Sequence, residues 1–236
     1  RQPIGQGSAQ ALTPAFGSTA APVLSPDGRW LLYIRSYEEQ DSLEIVGANG
    51  ENWPQKLVWG NDFYMQPCWS ADGGQVAWIS WDHPNMPWDG TELWLGNLVA
   101  PVSGAPYIAD KKLIAGGKTT SIFQAEFSPD GKYLAYVSDE SGWWQIVLYD
   151  LGSKTSTQLT NGPAEHGKAA WVQGMRTYAF SPDGKKLYFI RSQSGHDSLW
   201  VHNLSNHDET RIQIDPGYTS LEQISVSSWG IALIAS

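Results

Sequence analysis

The sequence predicts an all-β fold, a β-propeller of four-stranded blades with four complete blades and a partial fifth, and three observations carry that expectation. One pattern returns along the 236 residues: PVLSPDGRWLLYIRS from Pro22, PCWSADGGQVAWISW from Pro67, AEFSPDGKYLAYVSD from Ala125 and YAFSPDGKKLYFIRS from Tyr178, then a degraded copy, ISVSSWGIALIAS, from Ile224. The turn aspartates Asp27, Asp72, Asp130 and Asp183 lie 45, 58 and 53 residues apart, and Trp229 takes the turn position 46 residues later. Periods of roughly 40–50 residues that hold several short strands point to propeller blades. The 13 Trp supply enough large apolar surface to fill a core between sheets. Finally, the longest apolar stretches, such as WLLYI at 30–34 and IALIA at 231–235, have strand length and fall far short of the roughly 20 residues a membrane helix needs.

Each element of the unit follows from its residues. An apolar pair runs into Ser-x-Asp-Gly, where Pro presets φ at the first central position, the Asp carboxylate caps the turn, and Gly takes the left-handed position that closes a bulged hairpin. That turn joins strands A and B. The runs QVAWI, YLAYV and KLYFI then read as buried strands B, and LEIVG, ELWLGNL, QIVLYDL and SLWVHNL as strands C. Short outer strands D follow at QKLVW, KKLIAG, TQLTNG and TRIQID. The repeats thus run near 22–59, 67–116, 125–161, 178–214 and 224–236, and QALT within 8–14 is expected to be the outer strand of a partial blade. Residues 1–236 are read as a single propeller domain or fragment, an excised portion of a longer propeller in preference to a closed five-bladed ring. The apolar strand at 231–235 would then expose an edge and favour an edge-to-edge homodimer.

Charge and composition exclude several classes. With 24 acidic against 15 basic residues, a net charge of −9 and no Lys/Arg cluster, nucleic acid is not an expected partner. The single Cys68 forbids an intrachain disulfide, which fits the cytoplasm and leaves the periplasm or export open. GPAEHGK at 162–168 has the spacing of a phosphate-binding loop, but Ala169 stands where Ser or Thr should bind magnesium, and no helix pattern follows. His196, His202 and His207 lie on a strand-and-loop path without Cys, so neither a metal nor a cofactor is expected. A propeller glycosidase or lyase would need clustered carboxylates at the channel mouth, where the strand A positions are apolar.

The repeats resemble those shared by TolB-like propellers and the prolyl oligopeptidase clan. More narrowly, SWDHPNMPWDGTELW (80–94), SDESGWWQIVLYD (138–150) and AEHGKAAWVQGMRTYAFSPDG (164–184) resemble successive signatures of the N-terminal propeller of acylaminoacyl-peptidase and dipeptidyl-aminopeptidase-like serine peptidases. The likeness covers residues 20–236 in order. It implies a propeller set over a C-terminal α/β-hydrolase domain, with peptide substrates. No Gly-x-Ser-x-Gly nucleophile elbow occurs among the 24 Gly, so the family's catalytic triad maps onto no residue of this chain.

Candidate functional residues come from the loops. The B-to-C and D-to-A loops of a blade emerge on one face and the A-to-B turns on the other. Residues 81–92 offer Asp82, His83, Asp89 and Glu92 beside Trp81, Met86 and Trp88, stiffened by Pro84 and Pro87. Trp143, Glu165 and His166 should share that face. The resemblance implies that these loops meet the catalytic domain or line the substrate path. The competing expectation is that Trp81 and Trp88 pack between blades while Asp82 and Asp89 cap turns. His166 departs from the aromatic residue that the family tends to place after Glu165. Of the neighbours Trp143 and Trp144, one ring should pack inward and the other face out.

Overall fold

The computed structural model describes residues 7–102 and 104–236, which form eighteen strands and no helix. Blade 1 comprises β1 (Ser18–Leu24), β2 (Trp30–Tyr37), β3 (Gln40–Gly47) and β4 (Gln55–Val58). Blade 2 comprises β5 (Phe63–Trp69), β6 (Gln75–Trp81), β7 (Glu92–Val99) and β8 (Tyr107–Gly116), and blade 3 β9 (Ile122–Phe127), β10 (Tyr133–Ser138), β11 (Gln145–Asp150) and β12 (Thr155–Gln158). Blade 4 holds β13 (Tyr178–Phe180), β14 (Lys186–Gln193), β15 (His196–Asn203) and β16 (Glu209–Ile212), and a two-stranded sheet pairs β17 (Leu221–Ser227) with β18 (Gly230–Ala235). Every four-stranded sheet is an antiparallel meander in chain order.

The four Ser-x-Asp-Gly turns share one hydrogen-bond scheme. In the first, the Ser25 hydroxyl donates to Asp27 Oδ1 at 2.6 Å and accepts from the Trp30 amide at 2.9 Å, while Asp27 Oδ1 accepts from the Arg29 amide at 3.0 Å. Ser70, Ser128 and Ser181 repeat it with Asp72, Asp130 and Asp183. Gly28, Gly73, Gly131 and Gly184 sit at φ between 69° and 72°, the left-handed conformation the turn requires. The Ser25 hydroxyl above all, with the Arg29 amide, holds the Asp27 carboxyl down at about 2.

Strand A carries a second repeated device. Ala21, Gln66, Gln124 and Gln223 stand four residues before the turn Ser or its equivalent and have φ of 49°, 48°, 46° and 55°. At each the register of strand A against strand B slips, so each is a β-bulge. No Gly marks these positions, although a left-handed non-Gly residue costs on the order of 1–3 kcal/mol. Blade-to-blade bonds offset that cost. Gln66 Oε1 accepts from the Gln124 amide at 2.6 Å, and Gln124 Oε1 accepts from the Thr177 amide at 2.7 Å while its Nε2 donates to the Tyr178 carbonyl at 2.7 Å. The bulged innermost strands of blades 2 and 3 are thereby tied to each other and to the start of the regular innermost strand of blade 4.

The core lies between the sheets. Leu32, Ile45, Tyr64 and Trp78 fill the space between blades 1 and 2, Ile79, Phe123, Val137 and Phe189 that between blades 2, 3 and 4, and Ile190, Leu221 and Ile224 that under β17. Full burial of such side chains contributes about 1.5–3 kcal/mol each. The expected outer strand at 8–14 is not formed: these residues are irregular. Leu12 packs instead beside Gly50, and Pro14 has no amide to give a ladder. Among the described residues β17 and β18 pair only with each other, so the two ends of the chain do not share a blade.

Candidate functional site

The β2–β3 turn, the β6–β7 loop and the starts of the innermost strands lie at one end of the blades, opposite the Ser-x-Asp-Gly turns. The β6–β7 loop is held from several sides. Asn85 Nδ2 donates to the Lys118 carbonyl at 2.8 Å, and the Ser121 hydroxyl donates to the Pro87 carbonyl at 2.7 Å. Asp89 Oδ2 accepts from the Met86 amide at 2.9 Å, and Asp82 accepts from the Asp62 amide and from Asn61 Nδ2. His83 donates from its backbone amide to Asp62 Oδ2 at 2.9 Å, and that bond, first among its contacts with His83, lowers the Asp62 carboxyl. Asp89 thus closes its own turn through the Met86 amide, whereas Asp82 bonds across to Asn61 and Asp62 on the connection between β4 and β5.

The aromatic residues of the loop build a wall. Trp81 stacks on Phe63 with ring centres 5.1 Å apart and 22° between planes, and the His83 ring lies 4.7 Å from that of Phe63. Trp88 does not pack between blades. Its ring faces that of Trp171 at 4.2 Å, and Trp171 is 72% exposed, Val172 63% and Met86 47%. Between them lies a cavity of about 400 Å³ whose floor includes Tyr64 and Met65 and whose one charged lining residue is Asp41.

Trp171 reaches this place on a strap. The segment between β12 of blade 3 and β13 of blade 4 crosses to blade 2, where Gln173 Nε2 donates to the Tyr64 carbonyl at 2.9 Å and Gln66 Nε2 donates to the Met175 carbonyl at 3.1 Å. Arg176 then donates to Glu126 Oε2 at 2.7 Å and to the Ile224 carbonyl at 3.3 Å. Burial raises the Glu126 carboxyl, against the pull of Arg176. The strap therefore spans three blades at the inner end of the loop face.

Glu165 and His166 open that same segment but lie in the seam of blades 3 and 4, and no hydrogen bond joins them to residues 81–92. Glu165 Oε2 accepts from the Trp144 amide at 2.8 Å. His166 is fully buried; its amide donates to the Trp144 carbonyl at 2.8 Å, and Nε2 accepts from Arg191 Nε at 3.1 Å. Burial first, then the Arg191 charge, pushes its imidazole down to about 4, so it is a neutral acceptor that holds Arg191. Trp144 packs edge-on against Phe123 while Trp143 stays 41% exposed; both precede β11, so the loop and not strand alternation divides the two rings. Glu92 accepts from the Trp94 indole at 3.1 Å. Asp41, Phe63, Trp171 and Gln173 join the site without a motif that marks them; for the last two the sequence signal is the large apolar pair Trp171 and Val172 followed by an amide within a loop segment.

Known proteins resemble this chain in both sequence and fold. A puromycin-hydrolyzing peptidase of Mycobacterium tuberculosis superposes with a TM-score of 0.82 at 25% identity, covering 94% of this chain and 35% of that one. An uncharacterized protein of Agrobacterium fabrum is 26% identical over 89% of this chain and 59% of its own length. The uncharacterized peptidase YuxL of Bacillus subtilis is 26% identical over 74% of this chain and 30% of its own length. The chain thus spans between about a third and three fifths of the lengths of these proteins, and it resembles the propeller portion of the peptidases. The family described as the TolB beta propeller domain matches residues 50–234, and with its four meander blades and repeated turns the chain belongs to that family.

Proposed function

We propose that this chain is the propeller portion of an acylaminoacyl-peptidase-like serine peptidase, in which it gates peptide access and docks an α/β-hydrolase domain. The observation that carries this reading is the likeness of nearly the whole chain to one third of a peptidase structure, at a TM-score of 0.82. The strap supports the gating role. Trp171 and Gln173 lie across the inner end of the loop face, where an extended peptide passes more readily than a folded protein. Hydrolysis itself belongs to the attached domain, because the chain holds no Gly-x-Ser-x-Gly elbow.

An antiserum against this chain, used to recover the native polypeptide from its source, tests the reading. A recovered polypeptide that carries a serine-reactive fluorophosphonate label supports it, with the label mapping outside residues 1–236. An unlabelled polypeptide favours the second reading, a free-standing TolB-like scaffold for protein partners, for which the family match over residues 50–234 speaks.

A further inference from the structure

We propose that the strap carries an autoinhibitory contact: the Gln173 side-chain amide occupies a backbone carbonyl and a backbone amide on the inner edge of β5 to which an extended peptide bonds, so that strap and peptide exclude each other. The inference rests on the reading of the chain as a peptidase propeller and goes beyond it by naming the backbone groups that take the peptide and the residue that withholds them.

β5 is the edge strand of its sheet, and its ladder with β6 passes from Met65 to Cys68, so the bulge at Gln66 takes the Gln66 amide out of that ladder. A strand edge offers its donors and acceptors to any extended chain. In blades 3 and 4 the bulge side chain of the preceding blade fills the corresponding place: Gln66 Oε1 accepts from the Gln124 amide, and Gln124 reaches Thr177 and Tyr178. Blade 1 has Ala21 at its bulge, which brings no side-chain amide. Blade 2 is therefore served from the strap, where Gln173 Oε1 accepts from the Gln66 amide at 3.4 Å and Nε2 donates to the Tyr64 carbonyl at 2.9 Å.

Of these amide links that of Gln173 is the loosest. Gln124 is buried and makes both of its bonds at 2.7 Å, whereas Gln173 is half-buried beside the exposed Trp171 and Val172, and its bond to Gln66 is long. A carboxamide has the same N–H donor and C=O acceptor as a peptide group, so an incoming backbone can replace it at both contacts. The strap is anchored on either side of the displaced residues. Ala170 is buried, and beyond Gly174 the Met175 carbonyl accepts from Gln66 Nε2 while Arg176 donates to Glu126. Gly174 stands at φ 80°, with no atom of the described residues within 4 Å of where a Cβ would lie, so the chain can turn there and movement is confined to 171–173. Tyr64, Met65 and Gln173 also line the cavity of about 400 Å³ beside Trp88 and Trp171, which gives a side chain of the paired peptide a place to enter.

The test is calorimetric titration of the 236-residue chain and its Gln173→Ala and Gln173→Met variants with N-acetyl-Ala-Phe-Ala-Ala-amide and with the same peptide methylated on every backbone nitrogen. The blocked ends keep terminal charge out of the comparison, and methionine keeps the length of glutamine without its donor and acceptor. Both variants should bind the unmethylated peptide about fivefold or more tighter than the parent chain, the effect of about one net hydrogen bond released from competition, and the methylated peptide should bind each of them weaker by a similar factor. Hydrogen exchange adds a readout that lost packing alone does not move. The Gln66 amide should exchange faster in both variants and regain protection when the unmethylated peptide is added, while protected β6 amides report that blade 2 stays folded. Equal or weaker binding by both variants, equal binding of the methylated peptide, no regained protection at Gln66, or no heat up to about 10 mM peptide overturns the proposal. Any of these together with a fluorophosphonate-labelled native polypeptide rejects the strap contact and leaves the peptidase reading standing; tighter, methylation-sensitive binding by the variants with an unlabelled native polypeptide counts against the peptidase reading alone.

Discussion

Replacing Gln124 by alanine removes the side chain that joins blades 3 and 4 while leaving the backbone in a conformation that only glycine adopts freely. Gln124 is buried at φ 46°, and its amide group accepts from the Thr177 N–H and donates to the Tyr178 carbonyl, both at 2.7 Å. Truncation leaves these two buried backbone groups without that partner, and each unsatisfied group costs about 1–3 kcal/mol, so Gln124→Ala should destabilise by about 2–6 kcal/mol. Gln124→Gly loses the same bonds but releases the left-handed strain, of order 1 kcal/mol or more, and should therefore be the more stable of the two variants. The usual order, alanine above glycine within a strand, is thus reversed. Urea unfolding followed by tryptophan fluorescence reads both values. If both variants unfold within about 0.5 kcal/mol of the parent chain, the blade-joining role is refuted; if alanine is the more stable, the strained bulge is refuted.

Three further outcomes follow from the same geometry. Asp130→Ala should cost about 0.5–2 kcal/mol, because Asp130 accepts from the Ser128 hydroxyl and the Lys132 amide, whereas Asp208→Ala, whose carboxylate meets only its exposed neighbour Asn206, should stay within about 0.5; urea midpoints compare them. His166 has its imidazole pushed down to about 4, so between about 6.5 and 4 the unfolded chain binds the extra proton and stability falls as pH falls; the loss from pH 7 to 4.5 should be about 2–3 kcal/mol smaller in His166→Gln than in the parent. The free edge of β18, with Ile234 60% exposed, should make the chain associate at rising concentration in light scattering, and Ile234→Lys should suppress that association.

The turns and blades were legible because their chemistry is local. Ser-x-Asp-Gly needs nothing beyond its own five or six residues, so Asp27, Asp72, Asp130 and Asp183 announced each hairpin, and the strands B, C and D fell where the apolar runs lay. The bulges at Gln66 and Gln124 were not legible, since their left-handed backbone is sustained by amides from the next blade rather than by a glycine in the sequence. The same holds for the candidate site. Trp88 stood out in the loop, but its partner Trp171 lies 83 residues on and is brought in by the bonds of Gln173 to blade 2. Residues 8–14 look like an outer strand in isolation, yet a strand needs a neighbouring ladder, and the structure offers them the surface near Gly50 instead.

The central claim, that the loop face with its strap is the side turned toward peptide and catalytic domain, is tested most directly by photocrosslinking in the native polypeptide. A benzophenone attached at Val172→Cys, beside the Trp171 ring, is compared with one at Lys132→Cys, on the opposite turn face, and crosslinked peptides are mapped by mass spectrometry. The account predicts crosslinks from position 172 to bound peptide or to a segment bearing a Gly-x-Ser-x-Gly sequence, and none from position 132. Crosslinks to that segment from position 132 alone would place the catalytic domain on the Ser-x-Asp-Gly turns and contradict the account.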